Sequence, residues 1–333
     1  MKVIIPSAGV GTRLKPHTHT KPKPMVYVAG KQIIGHILDR LIEINPEEVI
    51  IVVGYMKDTV INYVSKNYIN KFNKISFVYQ KQRLGLGHSI YVCKSAVLDS
   101  PILITLGDMI FKEGYMYFLK EHLRNGETTG SIGVKMVDNP QHYGIVELKN
   151  NIVKGLIEKP KVSKSNLAIA GVYFITDTPF LFKILEYMIE NKIVGSGKEY
   201  QLTDALEIMV ENGAVFKTFE VTGWYDCGRP DTLLEANRIL LCEKSKDLEI
   251  KSCIINKPVA IGKEVIINNS IIGPNVSIAD NTFIENSIIS DSIIGSGSTV
   301  KNVSLIHSLI GDNVQLEGKY NTLNIGDSSF VQF

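Results

Sequence analysis

The first residues able to do chemistry are two glycines one residue apart, followed at once by an arginine: Gly9-Val10-Gly11-Thr12-Arg13. Such glycines let the backbone turn tightly and bring its N–H groups, from Ala8 onward, against an anion. The guanidinium adds a planar fork of donors suited to a pyrophosphate. A little further on, Lys21-Pro22-Lys23-Pro24-Met25 sets two ammonium groups in a stretch that proline keeps extended. Fixed amides, one guanidinium and a lysine therefore gather at the end of one β-prone run, Lys2-Val3-Ile4-Ile5, which is expected to stop at Pro6. That is a site for polyphosphate. Leu14 stands where the third glycine of the dinucleotide fingerprint would be, and no GxxxxGK[ST] loop occurs, so two common nucleotide motifs are excluded. Asp108 and Asp226 are the acids of interest. Two carboxylates beside a triphosphate suit Mg²⁺, which takes few protein oxygens and completes its shell with phosphate and water. His17 and His19, at i and i+2 in a loop without a third ligand, make only a weak metal pattern.

The elements that must position these residues alternate. Ile33, Ile34, Ile37, Leu38, Leu41 and Ile42 recur at helical spacing. Val49 to Val53 is a continuous apolar run, as expected of a parallel strand covered on both faces. A helix over 59–67 and a strand over 75–79 follow. The loop from Gln80 to Ser89 then leads into one helix ending near Leu98, and the strand 102–106 closes on Gly107-Asp108. Alternation of this kind predicts a doubly wound α/β sheet with ligands at the carboxyl ends of its strands, where both the opening loop and Asp108 fall. From 128 to 175 the reading turns strand-rich (131–137, 144–149, 152–158, 168–175). Helices follow over 179–191, 202–212 and 231–243, with a strand over 215–221 before Trp224-Tyr225-Asp226-Cys227-Gly228.

Near Leu248 the texture changes. Isoleucines recur at about six-residue spacing, as at Ile272-Gly273, Ile278-Ala279, Ile284-Glu285 and Ile294-Gly295, with small and polar residues between them. Hexad periodicity signals a β-helix of short stacked strands. The expected domains are therefore 1–247 and 248–333. Acyl transfer by the second of these would need a long β-helix, trimer clefts and a catalytic histidine, and His307 is the only histidine after Leu248. A structural and assembly role is expected instead, in a homo-oligomer.

With 333 residues the chain can hold one large domain and a smaller one, and its 44% hydrophobic content is that of a globular protein. A net charge of +2, from 36 basic and 34 acidic residues, gives no electrostatic case for nucleic acid or an acidic membrane. No run approaches membrane-spanning length and no signal-peptide core stands at the start, so a cytoplasmic protein is expected. Cys93, Cys227, Cys242 and Cys253 form no CxxC pair and read as reduced thiols.

The string Gly9-x-Gly11-Thr12-Arg13-Leu14-x-Pro16-x-Thr18 with Lys21-Pro22-Lys23-Pro24 strongly resembles the signature of the sugar-1-phosphate nucleotidylyltransferases, which make nucleotide sugars. The glucose-1-phosphate thymidylyltransferase type with a C-terminal left-handed β-helix is the nearest. That resemblance spans nearly the whole chain. It implies a Rossmann-like mixed sheet of the nucleotide-diphospho-sugar transferase type followed by a short left-handed β-helix. It also implies a Mg²⁺-dependent transfer from a nucleoside triphosphate to a sugar 1-phosphate. Carried over residue by residue, Arg13 and Lys23 are catalytic. Ala8, Gly9, Gly11, Thr12, Arg13, Gln80 and Gly85 bind the nucleotide, and Asp108 and Asp226 hold the metal. Asp108, Gly144, Glu158, Lys159 and Gly171 bind the sugar phosphate. Gln80 and Gly85 match the base-reading pair, whereas His88 reads as structural. UTP and dTTP both fit; Ala170 before Gly171 departs from the thymidylyltransferase pattern and leaves the sugar open. The rival readings are a mannose-1-phosphate guanylyltransferase and an inactive nucleotide-sugar-sensing subunit.

Overall fold

A computed structural model describes residues 1–242 and 250–319, so the expected boundary at Leu248 lies outside the described residues. The chain forms two compact units. The first comprises 1–26 and 32–233, the second 27–31 and 234–333.

The first unit is built on a nine-stranded mixed sheet. Its parallel half contains β1 (Lys2–Ser7), β2 (Glu48–Val53), β3 (Ile75–Tyr79) and β4 (Ile102–Thr105). Every residue of β2 is buried, which is why it reads as an unbroken apolar run. β1 does not stop at Pro6 as expected. Pro6 pairs with Val52, and its carbonyl accepts from Gly107 N at 3.1 Å, on the side where pairing with β4 has already ended at Ile4. The missing N–H therefore costs no ladder bond.

After β4 come β5 (Met109–Phe111), β6 (Gly130–Met136), β7 (Gly144–Lys149), β8 (Ile152–Glu158), β9 (Leu167–Ile175), β10 (Phe216–Glu220) and β11 (Trp224–Asp226). The strand order is β3-β2-β1-β4-β9-β6-β10-β8-β7, and β5 and β11 form a separate antiparallel pair. β1, β2 and β3 run outward in one direction while β4 lies on the other flank of β1. The order thus reverses at β1, and the crevice at its carboxyl end is where an open α/β sheet takes ligands.

Helices α1 (Ile33–Leu41), α2 (Lys57–Tyr68), α3 (Leu86–Tyr91), α4 (Lys94–Val97), α5 (Tyr115–Arg124), α6 (Thr178–Glu190), α7 (Leu202–Glu211) and α8 (Pro230–Cys242) connect or follow the strands. The single helix expected up to Leu98 is two, because Cys93 N bonds Ile90 O at 3.0 Å in a tightened turn between α3 and α4. Helix α5 was not anticipated; Tyr115 and Phe118, one turn apart, bury its inner face beside Phe111.

The second unit stacks three four-stranded parallel sheets, an arrangement consistent with a β-helix. Ile254, Ile271 and Ile288 pair in register up one sheet, and Val259 with Val276, and Ser277 with Ile293, up the next. Ile272, Ile278, Ile284, Ile289 and Ile294 form the interior, all fully buried. Serines between the strands link successive layers: Ser270 Oγ accepts from Ser287 N at 3.0 Å, 17 residues on, and Ser287 Oγ accepts from Val303 N at 3.3 Å, 16 residues on. Within this unit, Ala29 N donates to Asn237 Oδ1 at 3.0 Å, and Arg238 is bonded to Asp291.

Candidate active site

The loop after β1 is folded by its own sequence. Gly11 takes φ +71°, its carbonyl accepts from Thr18 Oγ1 at 2.8 Å, and Leu14 is buried as an anchor. A Cβ on Gly11 would lie 2.9 Å from Lys23 Cβ, so the glycine loop and the lysine segment pack directly against each other. This contact explains why Gly11, Thr18 and Lys23 belong to one motif. Lys23 opens a single 3₁₀ turn, Lys23–Met25, with its stem buried.

The opposite wall comes from β5 and β11. Asp226 pairs with Met109, and Cys227 N donates to Asp108 O at 3.1 Å, so two acids far apart in sequence become neighbours across one short ladder. Lys23 Nζ donates to Asp108 Oδ2 and lies 3.5 Å from Asp226 Oδ1; Arg13 Nη2 lies 3.8 Å from Asp226 Oδ2. The four charged residues expected to act together do converge. Gly228 makes room for them: a Cβ there would stand 2.5 Å from Asp226 Oδ1, 2.8 Å from Lys23 Nζ and 3.0 Å from Arg13 Nη2.

Two adjoining cavities, about 430 and 350 Å³, share Pro6, Gly9, Gly11 and Thr12. The larger also takes in Ala8, Gln80, Gly85 and Ser89, and the smaller Arg13, Lys23, Leu106 and Asp108. Seven of the residues expected to bind nucleotide thus line one continuous cleft, together with Lys23 and Asp108. Gly85, at φ +107°, packs against the backbone of Tyr200, where any side chain would collide at 2.6 Å.

The residues expected to bind the sugar group separately. Thr203 Oγ1 donates to Glu158 Oε2 at 2.7 Å, Lys159 Nζ lies 3.2 Å from Glu158 Oε1, and a Cβ on Gly144 would meet Glu158 Oε2 at 2.9 Å. Among the described residues these three are not on the lining of either cavity. Two contacts connect them to the cleft. Tyr143 packs on Trp224 with ring centroids 5.1 Å apart, next to Asp226 on β11. Gly171, at φ +81°, lets β9 approach Leu106, whose N–H donates to Gly171 O at 3.2 Å.

Several contributors escaped the sequence reading. Ser7 Oγ and Ser89 Oγ are buried without a hydrogen-bond partner, and each residue lines a cavity. Buried hydroxyls left unpaired are costly, and one on a cavity wall is available to a ligand. Ser89 carried no signal beyond its place after His88, and Thr203 none at all, being brought to Glu158 by α7 from far along the chain. The hard-oxygen donor set of Asp108 and Asp226 fits a magnesium ion. Asp226 Oδ1 is buried without a hydrogen-bond donor, and Lys23 is the cation both carboxylates share. No group of three or more metal-ligating side chains occurs among the described residues.

A nucleotidyl transferase family model matches residues 2–243. The chain belongs to that family. Curated relatives of this nucleotidyl transferase include the bifunctional protein GlmU of Methanococcus vannielii, 36% identical over 72% of the chain and 55% of the relative. The chain thus spans a little over half the length of the GlmU relatives it matches. The UTP–glucose-1-phosphate uridylyltransferase AglF of Haloferax volcanii is 30% identical over 75% of the chain and all of the relative. Among solved structures, a UDP-glucose pyrophosphorylase complexed with UDP-glucose matches with TM-score 0.61 and 26% identity, over 73% of the chain and 99% of that protein. The fold is therefore that of the nucleotide-diphospho-sugar transferases.

Proposed function

We propose that this nucleotidyl transferase moves a nucleotidyl group from UTP or dTTP to a sugar 1-phosphate, glucose 1-phosphate first among them, and releases pyrophosphate. The observation that carries the reading is the convergence of Arg13, Lys23, Asp108 and Asp226 around Gly228, at the carboxyl end of β1. The names of AglF and of the UDP-glucose pyrophosphorylase support a uridine nucleotide and glucose 1-phosphate.

Two polyanions repel, so the site must neutralise and align them; a sugar phosphate is already a good oxygen nucleophile near neutral pH and needs no general base. Arg13 and the amides of Gly9 to Thr12 would grip the leaving pyrophosphate. Lys23 would hold the α-phosphate that the sugar phosphate attacks in line, and Gln80 with Gly85 would hold the base. Glu158 would accept bonds from sugar hydroxyls, Lys159 would bind the sugar phosphate, and Gly144 and Gly171 would admit the ring closely. Asp108 and Asp226 would hold Mg²⁺, which when bound supplies positive charge at the bridging oxygens. An intact set of four charged groups favours turnover over a sensing role. The three stacked sheets of the second unit are read as a short left-handed β-helix with a structural and assembly role in a homo-oligomer.

The test is pyrophosphate release from the four common ribonucleoside triphosphates and dTTP, each with several sugar 1-phosphates and Mg²⁺. Release with UTP or dTTP and glucose 1-phosphate is expected. Binding of these ligands without turnover would make the chain a sensor.

A further inference from the structure

A glutamine amide offers an acceptor on one side and donors on the other, so its sense of rotation decides which base edge it accepts. The structure fixes that rotation for Gln80. The side chain is 5% exposed, and its Nε2 lies 3.2 Å from Gly85 O and 3.0 Å from His88 Nδ1. A carbonyl only accepts, so the atom facing Gly85 must be the amide nitrogen. Gly85 O is itself a rigid point. It also accepts from Ser89 N at 3.1 Å, at the start of α3, and the adjoining backbone is tied to Tyr200, whose N–H donates to Leu84 O at 2.7 Å and whose carbonyl accepts from Gly87 N at 2.8 Å.

With one Nε2 hydrogen on Gly85 O, the second reaches His88 only if Nδ1 is unprotonated, which places the ring proton on Nε2. Burial lowers the His88 pKa and so favours the neutral ring this bond requires. Turning the amide over would set its oxygen against the Gly85 carbonyl, a repulsive pair. Both amide hydrogens are thus committed, and no hydrogen bond among the described residues uses Gln80 Oε1. The residue lines the larger cavity, so what it can offer a ligand there is an acceptor.

We propose that His88 is a specificity-setting positioning residue: by accepting from Gln80 Nε2 it adds a second restraint to that of Gly85 O and holds the amide so that Oε1 meets the nucleobase. The proposal rests on the reading that this cavity takes a nucleoside triphosphate. An acceptor there selects a base that presents an N–H, as uracil and thymine do at N3. Cytosine carries a lone pair at N3 and is repelled. With the His88 bond removed, Gly85 O alone opposes turning of the amide; in the molecules that turn, its N–H groups face the base and cytosine is accepted.

The test uses full-length protein and two variants. In His88→Asn the amide oxygen sits one bond from Cγ, as Nδ1 does in histidine, so an acceptor is kept; His88→Leu keeps bulk and removes it. Rates of pyrophosphate release with UTP, dTTP and CTP would be measured at fixed sugar 1-phosphate and Mg²⁺, with melting temperatures alongside. His88→Leu, which leaves the Gly85 O contact in place, should narrow the preference for UTP over CTP by about threefold to tenfold, mainly through the nucleotide KM. His88→Asn should restore most of that preference. A folded His88→Leu protein with the wild-type UTP-to-CTP ratio would overturn the proposal, as would His88→Asn failing in the same way as His88→Leu. Wild-type protein that turned over no triphosphate would overturn the nucleotide reading itself, an outcome separate from an active enzyme with an unmoved ratio.

Discussion

The two units differ in the buried hydroxyls that line their interiors. In the second, Ser270, Ser277, Thr282, Ser287, Ser292 and Ser298 are buried, and each hydroxyl is bonded to backbone or to a neighbouring side chain. In the first, Ser7 Oγ, Ser89 Oγ and Asp226 Oδ1 are buried at or beside the cleft without a hydrogen-bond partner. Asp226 and Asp108 make the same point with charge, since they converge on one lysine. A buried hydroxyl satisfied by neighbouring backbone needs nothing further, whereas one left unpartnered at a cavity is open to a ligand. The difference separates a region built to be finished from a region built to be completed.

The strongest way to break this comparison is at Lys23. Replacing it with alanine removes the donor nearest both carboxylates and should lower kcat by roughly 10²-fold or more, as loss of a pre-aimed donor does elsewhere. A folded variant with near-normal kcat would pass the role to Lys21.

The acids sharpen the same point. Asp108→Asn and Asp226→Asn should each raise the magnesium needed for half-maximal rate. If the two hold one ion as a unit, the double variant should be little worse than the worse single one. Strictly additive losses in a magnesium titration would show separate jobs.

Gly228→Ala asks whether the space in the cradle matters. The new methyl would press on Asp226, Lys23 and Arg13, and the flexible lysine can retreat, so the expected loss is smaller, about tenfold in kcat/KM. An unchanged kcat/KM would mean that the converged geometry is not the working one.

For the second unit the expectation is stability without chemistry. The hydrogen bonds from Arg238, opposed by burial, hold the Asp291 carboxyl below the usual carboxylate range, and His307 adds to the pull. A depressed folded-state pKa gives stability that is present above the unfolded value, near 3.9, and fades as pH falls through the folded value. The melting-temperature gap between wild type and Asp291→Asn should therefore be widest near neutrality and close below about pH 4. A gap that persisted in acid would assign the effect to packing. Nucleotidyl transfer by Asp291→Asn should be unaltered at neutral pH.

The parts of this account that could be read from sequence are those where a local pattern carries the physics. Val49 to Val53 announced a strand buried on both faces, and the isoleucine hexads announced the coil interior of the second unit. The glycine loop, Lys23 and the two acids stand out through the full string and its resemblance to the nucleotidylyltransferase signature, since Gly9-x-Gly11 or either acid alone has ordinary structural readings. What escaped depends on long-range pairing. Nothing near Asp226 says that Met109 will lie opposite, and nothing near Thr203 says that Glu158 will accept its hydroxyl. His88 is the instructive case. In the sequence it reads as structural, and only the bond from Gln80 Nε2, whose sense is set by a carbonyl five residues on, ties it to a residue that lines the cleft.

Hydrogen–deuterium exchange with and without UTP and Mg²⁺ tests the contrast between the two units most directly. Added nucleotide should slow exchange in peptides covering Ser7 to Met25, Gln80 to Ser89 and Leu106 to Met109, and leave those covering Ile254 to Glu317 unchanged. Protection confined to the coils of the second unit, with none around Gly11, Gln80 or Asp108, would contradict the account.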